Sequence, residues 1–149
     1  MAIDGFLAIP DIQGESLRDG HEGEIEFHGL SFGMATAVSA GETMSRRRGR
    51  ATLDSVTVVK HYDRASPSLK KMVFDARLAP QATLSLRRTV DGQTSDYLVI
   101  VLKEASVTSY DLESTEEGLL EEVLTLDYRS IRFTYDGQHE VEMDVATGR

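Results

Sequence analysis

Residues 121–135 read EEVLTLDYRSIRFTY. Leu124, Leu126 and Tyr128 share one alternating phase, and Ile131, Phe133 and Tyr135 share the other. Alternation with period two marks strands that bury one face. The phase changes at Arg129–Ser130, which predicts a bulge or corner between two strands.

The same pattern recurs outward from this stretch. In the run from Ile3 to Ile9, Ile3, Leu7 and Ile9 lie on one face and Phe6 and Ala8 on the other; Pro10 ends it. Ile25 to Gly33 changes phase across His28–Gly29, a second predicted bend. Leu53 to Tyr62 resumes a strand, with Val56, Val58 and Tyr62 in phase. Ala82, Leu84 and Leu86 alternate with polar residues, and Asp91–Gly92 is expected to open a five-residue turn. Tyr97 to Leu102 is apolar on both faces, as expected of a central or interface-covered strand. Val107 to Leu112 is a weaker strand, and Val141, Met143 and Val145 alternate with acidic residues near the end. One helix interrupts the strands. Ser66 is a suitable N-cap and Pro67 suits the first helical position. Leu69, Met72, Val73 and Ala76 form its apolar stripe, Lys70, Lys71 and Asp75 point away, and Pro80 is expected to end it. About eight or nine short strands and one helix favour a compact β-barrel or sandwich.

The chain has 149 residues, the size of one domain, expected to span 1–149. Acidic residues number 25 against 16 basic, a net charge of -9, which disfavours nucleic acid and anionic membranes as partners. The absence of cysteine rules out disulfides, thiolate metal sites and a cysteine nucleophile. No apolar run is long enough for a transmembrane helix, so membrane insertion is not expected. The opening MAIDGFLAIPDIQGES has no basic n-region and is not expected to be a signal peptide.

Residues 35–50, ATAVSAGETMSRRRGR, have neither period and read as a long loop between strands. The loop ends in Arg46, Arg47, Arg48 and Arg50, the one basic cluster. Residues 111–122 read as an acidic, solvated loop running into a strand, and carry Glu113, Glu116, Glu117, Glu121 and Glu122. The two stretches are candidate counter-surfaces for a self-complementary contact between copies of the chain.

Catalytic patterns do not emerge. His21, His28, His61 and His139 show no i, i+4 pair and no HExxH context, and read as ordinary strand or surface histidines. Ser68 and Lys71 match S-x-x-K, but no S-D-N or K-T-G accompanies them. Asp19 to Glu24 is rich in ligand types but lacks EF-hand spacing, and the glutamate pairs have no apolar surround to raise a pKa. No catalytic residue, cofactor or metal is therefore expected, and the chain is not expected to be an enzyme.

Taken in order, the segments resemble the haemolysin-coregulated protein (Hcp) family, the tube subunit of the bacterial type VI secretion system. The opening MAIDGFLAI with DIQGES, the stretch HEGEIEFHGLSFGM and the polar loop come first. The run from Lys60 to Leu69 then matches K-x-x-D-x-A-S-P-x-L, and EEVLTLDYRSIRFTY matches a characteristic strand pair. Phe133 stands where many relatives have Trp. The resemblance implies a mainly β fold, a compact antiparallel barrel of two sheets with one α-helix at its side, like phage tail tubes. It implies a homo-hexamer whose rings stack into a tube that is cytoplasmic before firing and then secreted. Implied partners are sheath, baseplate and spike proteins, and effectors in the lumen. A globule of this length has a diameter of roughly 38 Å, so six in a ring enclose a hole of about the same width. Two alternatives are a tail-tube protein of a phage or phage-derived particle, and a small β-barrel ligand-binding module.

Overall fold

A computed structural model describes residues 3–38 and 48–145. The elements follow in the order β1 (Asp4–Ala8), β2 (Ile25–Phe27), β3 (Gly29–Ser31), β4 (Met34–Val38), β5 (Arg48–Leu53), β6 (Val56–His61), α1 (Ser66–Phe74), β7 (Ala79–Val90), β8 (Gln93–Ser114), β9 (Leu120–Asp127), β10 (Ser130–Tyr135) and β11 (His139–Asp144). All strand pairs are antiparallel.

The architecture turns on β8. Its first half pairs with β7 on one side and β10 on the other; from Ser106 onward it pairs with β9. Between the halves Glu104 sits at φ 49, the left-handed conformation that bends the strand. One strand thus serves two sheets: β2-β1-β7-β8-β10-β11, and β8-β9-β6-β3. Leu7, Leu84 and Ile100 of the first sheet share one buried cluster with Val58, Leu124 and Leu126 of the second. Each such side chain contributes roughly 1.5–3 kcal/mol on burial.

The edge strands β2 and β3 are consecutive in the chain, separated by His28. The ladder does not close edge to edge; the chain itself joins the two sheets at this corner. The His28 N–H donates to Val59 O at 2.9 Å and holds the corner against β6. Gly29 suits the close approach there, because a Cβ would stand 3.0 Å from that of Val59. The predicted phase change at His28–Gly29 is this corner, and the one at Arg129–Ser130 separates β9 from β10. The barrel is thus an open one of two sheets.

Several expectations need correction. The Asp91–Gly92 turn has two residues rather than five: Val90 pairs with Gln93, and φ is positive at both turn positions (52 and 76), the geometry that Asp-Gly favours. Tyr97–Leu102 and Val107–Leu112 are parts of one 22-residue strand. The stretch 35–50 is not loop throughout, since its flanks pair as the β4–β5 hairpin, with Ala35 opposite Thr52 and Thr36 opposite Ala51. Among the described residues this hairpin pairs only with itself, and Met34, Ala35 and Thr36 are all exposed, so no buried face imposes alternation on that stretch. The acidic stretch 111–122 is mostly strand; β8 runs to Ser114 and β9 starts at Leu120.

Ser66 is not the N-cap. Ala65 holds that position, and Pro67 lies in the first turn. Leu69 and Met72 are buried and Val73 is half-buried, but Ala76 is exposed beyond the helix end. The helix stops at Phe74 through a Schellman arrangement: Ala76 takes φ 52, Arg77 N–H donates to Met72 O and Ala76 N–H to Val73 O. Pro80, expected as the terminator, lies on β7.

Candidate functional site

The run from Lys60 to Leu69 joins β6 to α1, and its residue types follow from one buried network. Along β6, Val56, Val58 and Lys60 face inward, so the lysine enters the core in the phase of the valines. Its ammonium donates to Glu122 Oε1 at 2.5 Å, Asp63 Oδ1 at 2.9 Å, His61 O at 2.9 Å and Ser66 Oγ at 3.3 Å. Lys60 and Glu122 are both fully buried. Ser66 Oγ donates to Glu122 at 2.8 Å and accepts from Asp63 N–H at 2.9 Å, while Asp63 accepts from Ala65 N–H at 2.9 Å. Tyr110 donates its hydroxyl to Glu122, and burial followed by this bond pushes its pKa up. A buried charge is tolerated only when its partners surround it, and here they tie the helix start to both β6 and β9.

Glu122 therefore cannot belong to an acidic surface. It was grouped with the exposed glutamates because it sits in a charge run, yet Leu124 and Leu126 are buried in the same phase of β9. Glu113, Glu116 and Glu117 are exposed at the β8–β9 tip. Glu121 is half-buried and takes a hydrogen bond from His28 Nε2 at 3.0 Å.

The arginines lie elsewhere. Arg46 and Arg47 fall outside the described residues; Arg48 and Arg50 belong to β5. β5 leads into the start of β6, and Val56 pairs with Leu126; at the far end His61 pairs with Glu121, beside the β8–β9 tip. The hairpin base and the acidic tip thus stand at opposite ends of one sheet, roughly 17–20 Å apart along a six-residue strand. The structure does not bring the two together within one chain. The hairpin base is fixed by Tyr128, whose hydroxyl donates to Asp54 O at 2.7 Å, and by Asp54 N–H, which donates to Gly33 O at 2.9 Å. Burial, then the charges of Asp127 and Asp54, pushes the Tyr128 pKa up to about 12.

Two further surfaces are notable. Among the described residues β11 pairs with β10, and its Val141 is exposed. Phe74 and Leu78, which flank the helix end, are 84% and 58% exposed. Ser68 and Lys71 are also exposed, and Lys71 pairs with Asp75 at 3.4 Å, so the S-x-x-K match lies on the helix's wet face. His21 is buried, with its ring on Phe6 and its nitrogens held by Glu24 at 2.8 Å and Asp96 at 2.9 Å.

His28 and His61 form a pair that sequence spacing did not reveal. Their rings stack with centroids 4.4 Å apart, in a groove of about 460 Å³ that Ile3, Glu26, Phe27 and Tyr62 also line. They are 33 positions apart in the chain, so only the strand pairing unites them.

Comparisons with known proteins agree with one another. The family described as "Type VI secretion system effector, Hcp" matches residues 6–135. Protein hcp1 of Pseudomonas aeruginosa is 30% identical over 139 residues, covering 93% of this chain and 86% of that protein. Among solved structures, one of a type six secretion system protein aligns with a TM-score of 0.87 at 19% identity, over 99% of this chain and 98% of the other. Hcp1 from the E. coli EAEC 042 pathovar gives 0.83 at 22% identity, covering 97% and 99%. Hcp1 from Salmonella typhimurium gives 0.77 at 24% identity, covering 100% and 99%.

Proposed function

This chain belongs to the Hcp family of type VI secretion proteins, and on that premise we propose that it is a non-enzymatic tube subunit. Six copies close into a ring, rings stack into the inner tube of the secretion apparatus, and the lumen carries effector proteins. The subunit is cytoplasmic before firing and leaves the cell with the tube, in contact with sheath, baseplate and spike proteins on the way.

The observation that carries this reading is the polarity of the sheet. A hairpin leading from an arginine cluster stands at one end of β6, and an exposed acidic tip stands at the other. Stacked head to tail, each arginine end meets the acidic end of the next ring, a heterologous contact that does not close and so makes a filament. The counter-surface consists of Glu113, Glu116 and Glu117; Glu122 is internal and Glu121 is engaged by His28. The exposed Val141, Phe74 and Leu78 supply apolar area for lateral contacts within a ring.

Electron micrographs and light scattering of the purified protein test this. The wild type is expected to form rings and, at low salt, stacks of rings. Arg46→Glu, Arg47→Glu and Arg48→Glu together should leave rings intact and shorten the stacks. Adding Glu113→Lys, Glu116→Lys and Glu117→Lys should restore length. A stable 16.5 kDa monomer at micromolar concentration, or stacks indifferent to both charge reversals, would overturn the reading.

A further inference from the structure

The groove beside the β2–β3 corner places three metal-ligating side chains together. His61 and Glu121 are direct register partners on β6 and β9. Lys60 and Glu122 are fully buried, so their neighbours His61 and Glu121 point to the outer face of the sheet. His28, at the corner, reaches the same face: its ring stacks on His61 at 4.4 Å and its Nε2 lies 3.0 Å from Glu121 Oε2. One ligand atom from each of the three lies within 4.8 Å of the other two.

We propose that His28, His61 and Glu121 form a surface site for a divalent transition-metal ion, with Zn2+ the best match. Two imidazoles and one carboxylate, with the remaining position open to water, are a donor set that Zn2+ accepts. Two metal–ligand bonds of about 2.1 Å span at most about 4.2 Å, so the wider gaps must close. His61 is exposed, so a change of its side-chain rotamer can bring its ring nitrogen closer to the other two ligands. On binding, the metal takes the His28 Nε2 lone pair, and the imidazole proton resides on Nδ1. Glu26, exposed on the same groove, adds negative charge that attracts a cation.

The site spans the corner at which the sheet ladder fails to close. A bound ion would tie His28 between β2 and β3 to both β6 and β9, and so staple the open seam. Its formation does not depend on ring assembly.

The test is calorimetric titration of tag-free, full-length protein with ZnCl2, compared with His61→Ala and Glu121→Gln, both at partly or fully solvent-accessible positions. One Zn2+ per chain is expected, with affinity lowered by at least 10-fold in each variant, the scale on which metal-site partners act. The melting temperature of the wild type should rise with Zn2+ and return with EDTA, since a ligand that binds only the folded state stabilises it. Mg2+ should produce neither effect. Absence of binding, binding by both variants as tight as by the wild type, or an equal response to Mg2+ would each overturn the proposal.

Discussion

Lys60 and Glu122 set a sharp test at the scale of single residues. Removing one partner leaves a fully buried charge without its counter-ion, so Lys60→Met is expected to cost about 3–5 kcal/mol. The double variant Lys60→Met with Glu122→Leu removes both charges and should recover much of that loss, read as urea unfolding midpoints. Tyr128 makes a second prediction. An unfolded tyrosine titrates near 10, and in the fold Tyr128 is held up to about 12. Between those values the unfolded chain gives up the proton and the folded chain keeps it, so stability falls as pH rises through this window. Tyr128→Phe should make the decline shallower, measured from pH 8 to 11.5; an unchanged slope would remove Tyr128 as its cause. Much of this network was legible in the motif K-x-x-D-x-A-S-P-x-L, although the motif alone does not say what holds its lysine. The partner was legible too, because the phase of Leu124 and Leu126, extended back two residues, points Glu122 inward. Charge composition masked it. The pairing of His28 with His61 had no local signal, since it is created by the register of three strands.

At the scale of elements, the helix is an amphipathic piece laid on β8. Leu69 is fully buried, and Leu69→Ala is expected to cost roughly 2–5 kcal/mol. Lys71→Ala loses an exposed ion pair with Asp75 and a cation–π contact with the exposed Phe74 and should change stability by about 1 kcal/mol or less. Similar effects of the two changes, in chemical denaturation, would mean that the helix presents a different face. Strand phases were readable wherever one face is buried, as at Leu124 to Tyr128. The β4–β5 hairpin was not, because among the described residues it pairs only with itself and Met34, Ala35 and Thr36 are all exposed, so no alternation marks its first strand. The helix end was missed for another reason. Ala76 occupies a left-handed position where glycine is the usual signal, so Pro80 was the more visible stop.

At the scale of the whole molecule, the order of segments carried the family, whereas the sharing of one strand by two sheets was not visible. Gln93 to Ser114 carries no breaker at the bend; the turn is made at Glu104, a residue with no special preference for it. The stacking proposal has a further consequence here. Charges facing each other across rings lie in solvent and are screened beyond about 8 Å at physiological ionic strength. Tube length in micrographs should therefore shrink as salt is raised, while the rings, held by apolar contacts, persist. Rings that fall apart before stacks do would reverse the assignment of the two contacts.

The bent strand β8 also bears on how the subunit carries mechanical load. Its pairing with β10 lies before Glu104 and that with β9 from Ser106 onward, while that with β7 runs on to Ala105; the bonds are all roughly perpendicular to the strand. A pull directed along β8 acts on many of these bonds at once, in shear, instead of opening them one by one. Load applied to one sheet is therefore handed to the other through the continuous backbone of a single strand.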